Sequence, residues 1–186
     1  MSLKHALLGF LNYKSMTGYQ LKQFFDESVR NFWNASLSQI YPTLNQMKEE
    51  GLLTMEVKYQ DSSPNAKIYY ITEQGRAELQ RWLAESIEPQ TFRSTFLIQI
   101  FFGANIPKEQ VIAKLEQRLR LAEEKLEVHR QIFSDIIRKN TTENGLSREA
   151  LFWSLTADFG VKNAEATVAW YKDSIQKLEN LENIKE

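Results

Sequence analysis

Cysteine is absent from the 186 residues, which excludes disulfides, cysteine–zinc sites and thiol catalysis. Histidine is scarce. His5 and His129 stand far apart, and no serine, histidine and acid set can be assembled around either. The seven glycines are scattered, so no glycine-rich loop is available to cradle a phosphate. Glu49–Glu50 and Glu123–Glu124 are adjacent pairs that point apart on a helix and make poor acid–base partners. Long apolar runs are missing as well. Leu3 to Leu11 is interrupted by Lys4, His5 and Gly9, Ile98 to Phe102 is short, and a membrane span needs about 20 residues. The N-terminus lacks the apolar core and small-residue cleavage site of a signal peptide, so the expectation is a cytoplasmic chain. Charge of one sign is not in excess: 23 basic and 24 acidic residues leave a formal net charge of −1 and no global basic signature. An enzyme has no site to stand on here, and neither metal nor cofactor is expected.

What is present centres on Ser36 to Ile71. Leu37, Ile40, Leu44 and Met47 recur at spacings of three and four, the apolar stripe of a helix. Ser36 and Gln39 have the spacing of a capping box, and Gly51 is placed to end the helix in the left-handed conformation. Ser38, Pro42 and Asn45 then point away from the stripe, with Gln39 and Gln46 beside them and Tyr41 flanking. Amide side chains on an outer face suit base edges, because each presents a donor and an acceptor side by side. Pro42 removes one backbone bond from this helix, which either starts beyond Ser38 or bends at Tyr41. After Gly51 the period changes. Leu53, Met55, Val57 and Tyr59 alternate with polar residues as a strand with one buried face, Asp61 to Ala66 is turn chemistry, and Lys67 to Ile71 is a second strand.

The flanking segments are helical. Leu3 to Leu11 is a short apolar helix, Asn12 to Ser15 a loop, and Thr17–x–x–Gln20 a second capping box. That box opens a helix to about Val29 with Leu21, Phe24 and Phe25 inward, and Asn31 to Asn34 turns into the Ser36 helix. A helix with a polar outer face, backed by a two-stranded wing, is a winged helix-turn-helix. Thr72 starts a fourth helix that runs to about Ser86, and Glu88–Pro89–Gln90 breaks the pattern. The expected domains are 1–87 and 88–186.

Four stretches together resemble the successive signatures of PadR-type transcriptional regulators: Met16–Thr–Gly–Tyr–Gln–Leu21, Ile40–Tyr–Pro–Thr–Leu44, Glu49–Glu–Gly–Leu–Leu53 and Ile68–Tyr–Tyr–Ile–Thr–Glu–Gln–Gly–Arg76. The resemblance covers residues 3 to about 86. It implies a homodimeric winged-helix repressor that reads a palindromic operator in double-stranded DNA, dimerises through a helical C-terminal region and, as in many relatives, is released by a small aromatic molecule. Candidate DNA contacts are Ser36, Ser38, Gln39, Tyr41, Pro42, Asn45, Gln46 and Asn65, with Lys22 and Lys67 toward the phosphates. The wing departs from the family pattern. Where many relatives carry Gly–Arg before the proline and two basic residues after it, this chain has Ser62–Ser63 before Pro64 and only Lys67 after Asn65. Asp61 adds a negative charge near the tip, so this wing should neutralise fewer phosphates than a basic one.

Phe92 to Gly103 is dense in aromatics and poor in charge. Burial at a dimer or interdomain core is the first expectation; the second is one wall of an effector site lined by Trp33, Phe92, Phe96 and Trp153. Pro107 starts a helix in which Leu115, Leu119, Ala122, Leu126, His129, Phe133 and Ile136 step by three and four, a coiled-coil-like repeat. Asn140 to Gly145 is a polar break. A last helix, about Ser147 to Asn183, repeats the pattern with Val161, Ala164, Val168, Tyr171, Ile175 and Leu178. The expected architecture is thus mainly α: a winged helix-turn-helix followed by an antiparallel pair of long helices that dimerises. The alternative is a winged-helix protein-interaction module that no longer binds DNA, favoured by the even balance of nine basic and nine acidic residues in 1–86.

Overall fold

The computed structural model describes the chain apart from residues 1, 30–31, 60–64, 88–90, 143–146 and 182–186, and apart from the side chains of 2, 133, 135–142 and 147. It forms two compact units, Met1–Pro89 and Gln90–Glu186. The first unit runs α1 (Ser2–Tyr13), β1 (Met16–Thr17), α2 (Gly18–Ser28), α3 (Leu37–Glu49), β2 (Leu53–Lys58), β3 (Ala66–Ile71) and α4 (Glu73–Ala84). The sheet has three strands in the order β1-β3-β2, all antiparallel, so the expected two-stranded wing gains a short third strand. Met16 pairs with Tyr69 and Thr17 with Ile68, while the hairpin register runs from Leu53↔Ile71 to Lys58↔Ala66. Leu7, Leu8, Met16, Leu21, Phe25, Ile40, Leu44, Met47 and Leu53 are wholly buried together, so helices and sheet share one core.

The ends of α3 are fixed by local chemistry. Gln39 Oε1 accepts from the Ser36 backbone N–H at 3.0 Å, closing the capping box at its start. At its end Gly51 sits at φ 73°, while Leu52 N–H reaches back to the Met47 carbonyl and Gly51 N–H to that of Lys48. These two bonds are a Schellman motif, and the left-handed position is the one glycine adopts without a Cβ penalty. α3 runs from Leu37 with Pro42 inside it, so the later start beyond Ser38 is excluded. The bond it forgoes would have gone to Ser38, an exposed residue whose carbonyl water can serve.

The start of α4 is stitched to the hairpin. Thr72 Oγ1 accepts from Gly75 N–H at 3.0 Å and donates to the Gly51 carbonyl at 2.8 Å. A Cβ on Gly75 would stand 2.3 Å from the Leu52 carbonyl oxygen, so only glycine permits this approach. One expectation fails in β2. Its apolar side leaves the core after Met55: Val57 is 38% exposed and Tyr59 80%, because the hairpin projects past the helices that cover its base.

The second unit holds α5 (Thr95–Phe101), a single 3-10 turn (Gly103–Asn105), α6 (Lys108–Thr142) and α7 (Ser147–Glu179). Leu115, Leu119, Ala122 and Leu126 of α6 meet Val161, Ala164, Val168, Tyr171, Ile175 and Leu178 of α7 in two adjoining apolar clusters. The seven-residue stripe is therefore the seam of the helix pair. Arg130–Glu165 and Lys172–Glu123 ion pairs, both 2.8 Å, bridge its edges. His129 is buried on this seam against Gly160, where an added Cβ would come within 2.9 Å of the imidazole Nδ1. Burial, helped by Lys125, holds its pKa below the usual histidine value. Phe133 and Ile136 lie outside the described side chains. Within one chain the segment 92–103 is not a buried helix: Phe96 is buried, but Phe92, Ile98, Phe101 and Phe102 are exposed.

Candidate nucleic-acid interface

Because Ile40, Leu44 and Met47 take α3 into the core, its opposite face stands in solvent. Ser36, Ser38, Gln39, Tyr41, Pro42, Asn45 and Gln46 are all exposed there. Tyr41 is also a packing residue. Its ring lies against Gly18 at the start of α2, so close that a Cβ on Gly18 would meet Tyr41 Cε1 at 2.5 Å. Burial, with Tyr41 as a lesser cause, raises the pKa of the Tyr69 phenol beneath.

The two glutamines are not equivalent. Gln39 commits its carbonyl oxygen to the Ser36 N–H, leaving its NH2 to face outward as a donor. Gln46 does the reverse. Its Nε2 donates to Glu50 Oε1 at 2.7 Å, leaving its carbonyl oxygen as an acceptor. The partners fix both amide orientations, since a backbone N–H needs an oxygen and a carboxylate needs a donor. Ser38 shares a 2.7 Å hydroxyl contact with Ser36, and no partner for Asn45 is seen among the described residues. α3 therefore presents a donor near its start and an acceptor near its end.

The cations beside this face are few. Lys22 is half-buried and paired with Asp26 one turn along α2. Asn65 and Lys67 are exposed at the hairpin, while Asp61 to Pro64 lie outside the described residues. Behind the face, Glu78 of α4 gathers Lys4 at 3.1 Å, His5 at 3.1 Å and Arg81 at 2.9 Å. His5, Arg81 and Lys4, in that order of effect, hold the Glu78 carboxyl down at about 2. Lys4 also reaches Glu50 at 3.7 Å, and His5 stacks on Trp82 at 4.5 Å, so α1, α3 and α4 are tied by polar contacts as well as by the core.

The four aromatic candidates for an effector site divide between the two units, Trp33 in the first and Phe92, Phe96 and Trp153 in the second. Trp33 packs on the core of the first unit. In the second unit Phe92 and Phe96 line an open hollow of about 410 Å³, together with Ser94, Leu97, Arg118, Ala166, Thr167, Trp170 and Tyr171. Trp153 is not part of that lining. Sequence reasoning missed Arg118 and Trp170. Arg118 falls in a run of mixed charge that reads as a solvated face, and the signal it did carry was its place three residues after the seam residue Leu115. Among the described residues there is no group of acids and histidines able to hold a metal ion, and no helix is long and apolar enough to cross a membrane.

Comparison with known proteins bears on the family and the fold. The model of the "Transcriptional regulator PadR-like family" matches residues 7–81, and that of "Virulence activator alpha C-term" matches residues 92–179. The negative transcriptional regulator PadR of Bacillus subtilis (strain 168) is 30% identical over 125 residues, 67% of this chain and 69% of that protein. The crystal structure of Bacillus subtilis PadR in complex with operator DNA matches with TM-score 0.83 at 23% identity, covering 96% of this chain and 99% of that one. Its complex with p-coumaric acid matches with TM-score 0.78 at 23% identity, covering 96% of each chain. At that identity the two structures show a shared fold, the winged helix followed by a long helical arm.

Proposed function

The chain belongs to the PadR-like family of transcriptional regulators, and on that premise we propose that it acts as a cytoplasmic homodimeric repressor, reading a palindromic operator and released by a small aromatic molecule. The observation that carries the reading is the outer face of α3, a helix held by caps at both ends with its polar residues exposed. In this reading α3 enters the major groove. Ser38, Gln39, Asn45 and Gln46 face base edges, with Tyr41 and Pro42 beside them. Ser36, Lys22, Asn65 and Lys67 serve the phosphates. The name of the Bacillus relative supports repression, its operator complex supports the DNA partner, and its p-coumaric acid complex supports an aromatic effector.

Dimerisation is supported by apolar surface that one chain leaves bare. Leu151, Phe152, Leu155 and Phe159 on α7 are each more than half exposed, as are Leu121 and Val128 on α6. Apolar residues in such number on one unit mark an interaction surface. A gel shift against the DNA upstream of the protein's own gene tests the regulator reading. Retardation that competitor DNA of unrelated sequence does not abolish upholds it; no retardation at low salt leaves the protein-interaction module in its place. Sedimentation at micromolar concentration tests the dimer, and a monomer there refutes it.

A further inference from the structure

We propose that Glu50 determines part of the sequence specificity: its carboxylate fixes which end of the Gln46 amide faces the DNA, and so which bases are accepted there. The inference rests on the reading of α3 as the helix that enters the major groove. It adds a positioning residue that touches no base itself.

A glutamine amide carries an acceptor at one end and donors at the other, and half a turn about its last bond exchanges them without changing its shape. It discriminates between bases of opposite polarity only where a neighbour forbids that turn. Gln46 has such a neighbour. Its Nε2 donates to Glu50 Oε1 at 2.7 Å, one helical turn along. The reversed amide would set its oxygen against a carboxylate oxygen, two acceptors with no proton between them. The carboxylate is held in its turn. Glu50 N–H donates to the Gln46 carbonyl at 2.9 Å, the Glu50 carbonyl accepts from Gln74 Nε2 at 3.3 Å, and Gly51 follows at once in the left-handed conformation. Glu50 Oε2 lies 3.7 Å from Lys4 Nζ of α1, and Lys4 is anchored to Glu78 of α4 at 3.1 Å. With one oxygen toward Gln46 and the other toward Lys4, the carboxylate has a defined orientation.

The consequence is a polarity at the end of the reading face. With its NH2 drawn to Glu50, Gln46 leads outward with its carbonyl oxygen. That oxygen accepts from adenine N6 or cytosine N4, whereas guanine O6 and thymine O4 would meet it lone pair to lone pair. Gln39 is locked differently, by the backbone N–H of Ser36, which no change of side chain removes. Of the two glutamines, Gln46 alone takes its polarity from a replaceable neighbour. An acid beside a surface that meets phosphates lowers attraction for every sequence, while a locked acceptor enlarges the difference between sequences.

The test is fluorescence anisotropy of the full-length protein on duplexes that the wild type selects from a random pool, with each base pair varied in turn. Gln46→Ala should level the preference at one position in each half-site, which marks the base pair Gln46 reads. The wild type should favour adenine or cytosine there by roughly tenfold. Glu50→Lys puts a donor where the acceptor stood, draws the amide oxygen to itself and turns the NH2 outward, so guanine or thymine should be favoured at that same position. Glu50→Gln can hold the amide either way round and should level it. In the double variant Gln46→Ala, Glu50→Lys, the added charge should raise affinity for all duplexes alike and create no preference. That cycle separates action through Gln46 from direct contact by the introduced side chain. Melting curves like that of the wild type establish that the variants are folded, and if Glu50→Lys melts early beside Lys4, Glu50→Gln carries the test. A wild-type profile in Glu50→Lys or Glu50→Gln, or a new preference that survives in the double variant, overturns the proposal and leaves the DNA reading in place. A wild type that selects no duplex removes both.

Discussion

Replacing Gln39 by alanine removes two things at once, and the chain contains the control that separates them. Gln39 caps α3 through the Ser36 N–H at 3.0 Å, and Gln20 caps α2 in the same way through the Thr17 N–H at 2.9 Å. Each Gln→Ala change should cost the fold about 0.5 kcal/mol for one side of a capping box, a fall of roughly 2–4 °C in melting temperature for a domain of this size. The Gln39 variant should lose base recognition besides. A bidentate amide contact would be worth about 1–3 kcal/mol. With Oε1 held by the cap, only the NH2 reaches out, so one hydrogen bond of about 1 kcal/mol per subunit is the better figure. A dimer on two half-sites then loses about 2 kcal/mol, roughly a 30-fold rise in Kd.

Fluorescence anisotropy with a panel of single-base-pair operator variants measures this directly. Gln39→Ala should flatten the preference at one position in each half-site, where the favoured base carries an acceptor such as guanine O6 or thymine O4. Gln20→Ala should show the same small loss of melting temperature and an unchanged preference profile. If Gln39→Ala shifts all operators by the same factor, the residue is a cap and nothing more, and the assignment of a base contact fails.

Lys22→Ala and Lys67→Ala should each weaken binding to every sequence alike and reduce the slope of log K against log salt by about two, one phosphate contact from each subunit; a change in base preference would contradict the assignment. Gly75→Ala should cost about 2–3 kcal/mol, seen in urea unfolding, because the atom its Cβ strikes at 2.3 Å is the backbone carbonyl of Leu52 and cannot turn aside. The Glu78 carboxyl, held at about 2 against an ordinary 4.5, contributes stability that is fully present above pH 4.5 and is lost as pH falls toward 2. Glu78→Gln should remove on the order of 1 kcal/mol at neutral pH, discounted for the solvent that still reaches the group, and flatten that part of the acid unfolding curve.

Most of the first unit was legible because its signals are local. A capping box, a glycine stop and an apolar stripe each act within a few residues, so Ser36, Gly51 and Ile40 disclose α3 without knowledge of the remainder. The long helices were legible for the related reason that their repeat persists over many turns. What escaped depends on contacts distant in sequence. β1 is two residues with no periodicity of its own, and it exists because Met16 meets Tyr69. The alternation in β2 cannot tell where the core stops, so Val57 and Tyr59 read as buried and are exposed. The hollow requires α5 to lie across the helix pair, an arrangement that neither the aromatic segment nor the charged run around Arg118 encodes alone.

The same distinction bears on how the reading head binds. Equal numbers of acids and bases in 1–86 give no net field to draw DNA inward. Of the two lysines assigned to phosphates, Lys22 already holds Asp26, so any phosphate contact it makes must first displace a carboxylate. Few counterions are released by such a surface, so under the proposed function affinity has to come from complementary donors and acceptors on α3 and from joining two heads on one operator. In the proposed dimer that places unusual weight on the joining of the two heads. A single head with a weak electrostatic footing would bind poorly, whereas two heads held at one spacing turn the second contact into an intramolecular event of high effective concentration. A ligand that alters the spacing, by binding one arrangement of the arms better than another, would then remove the larger part of the binding energy without touching α3.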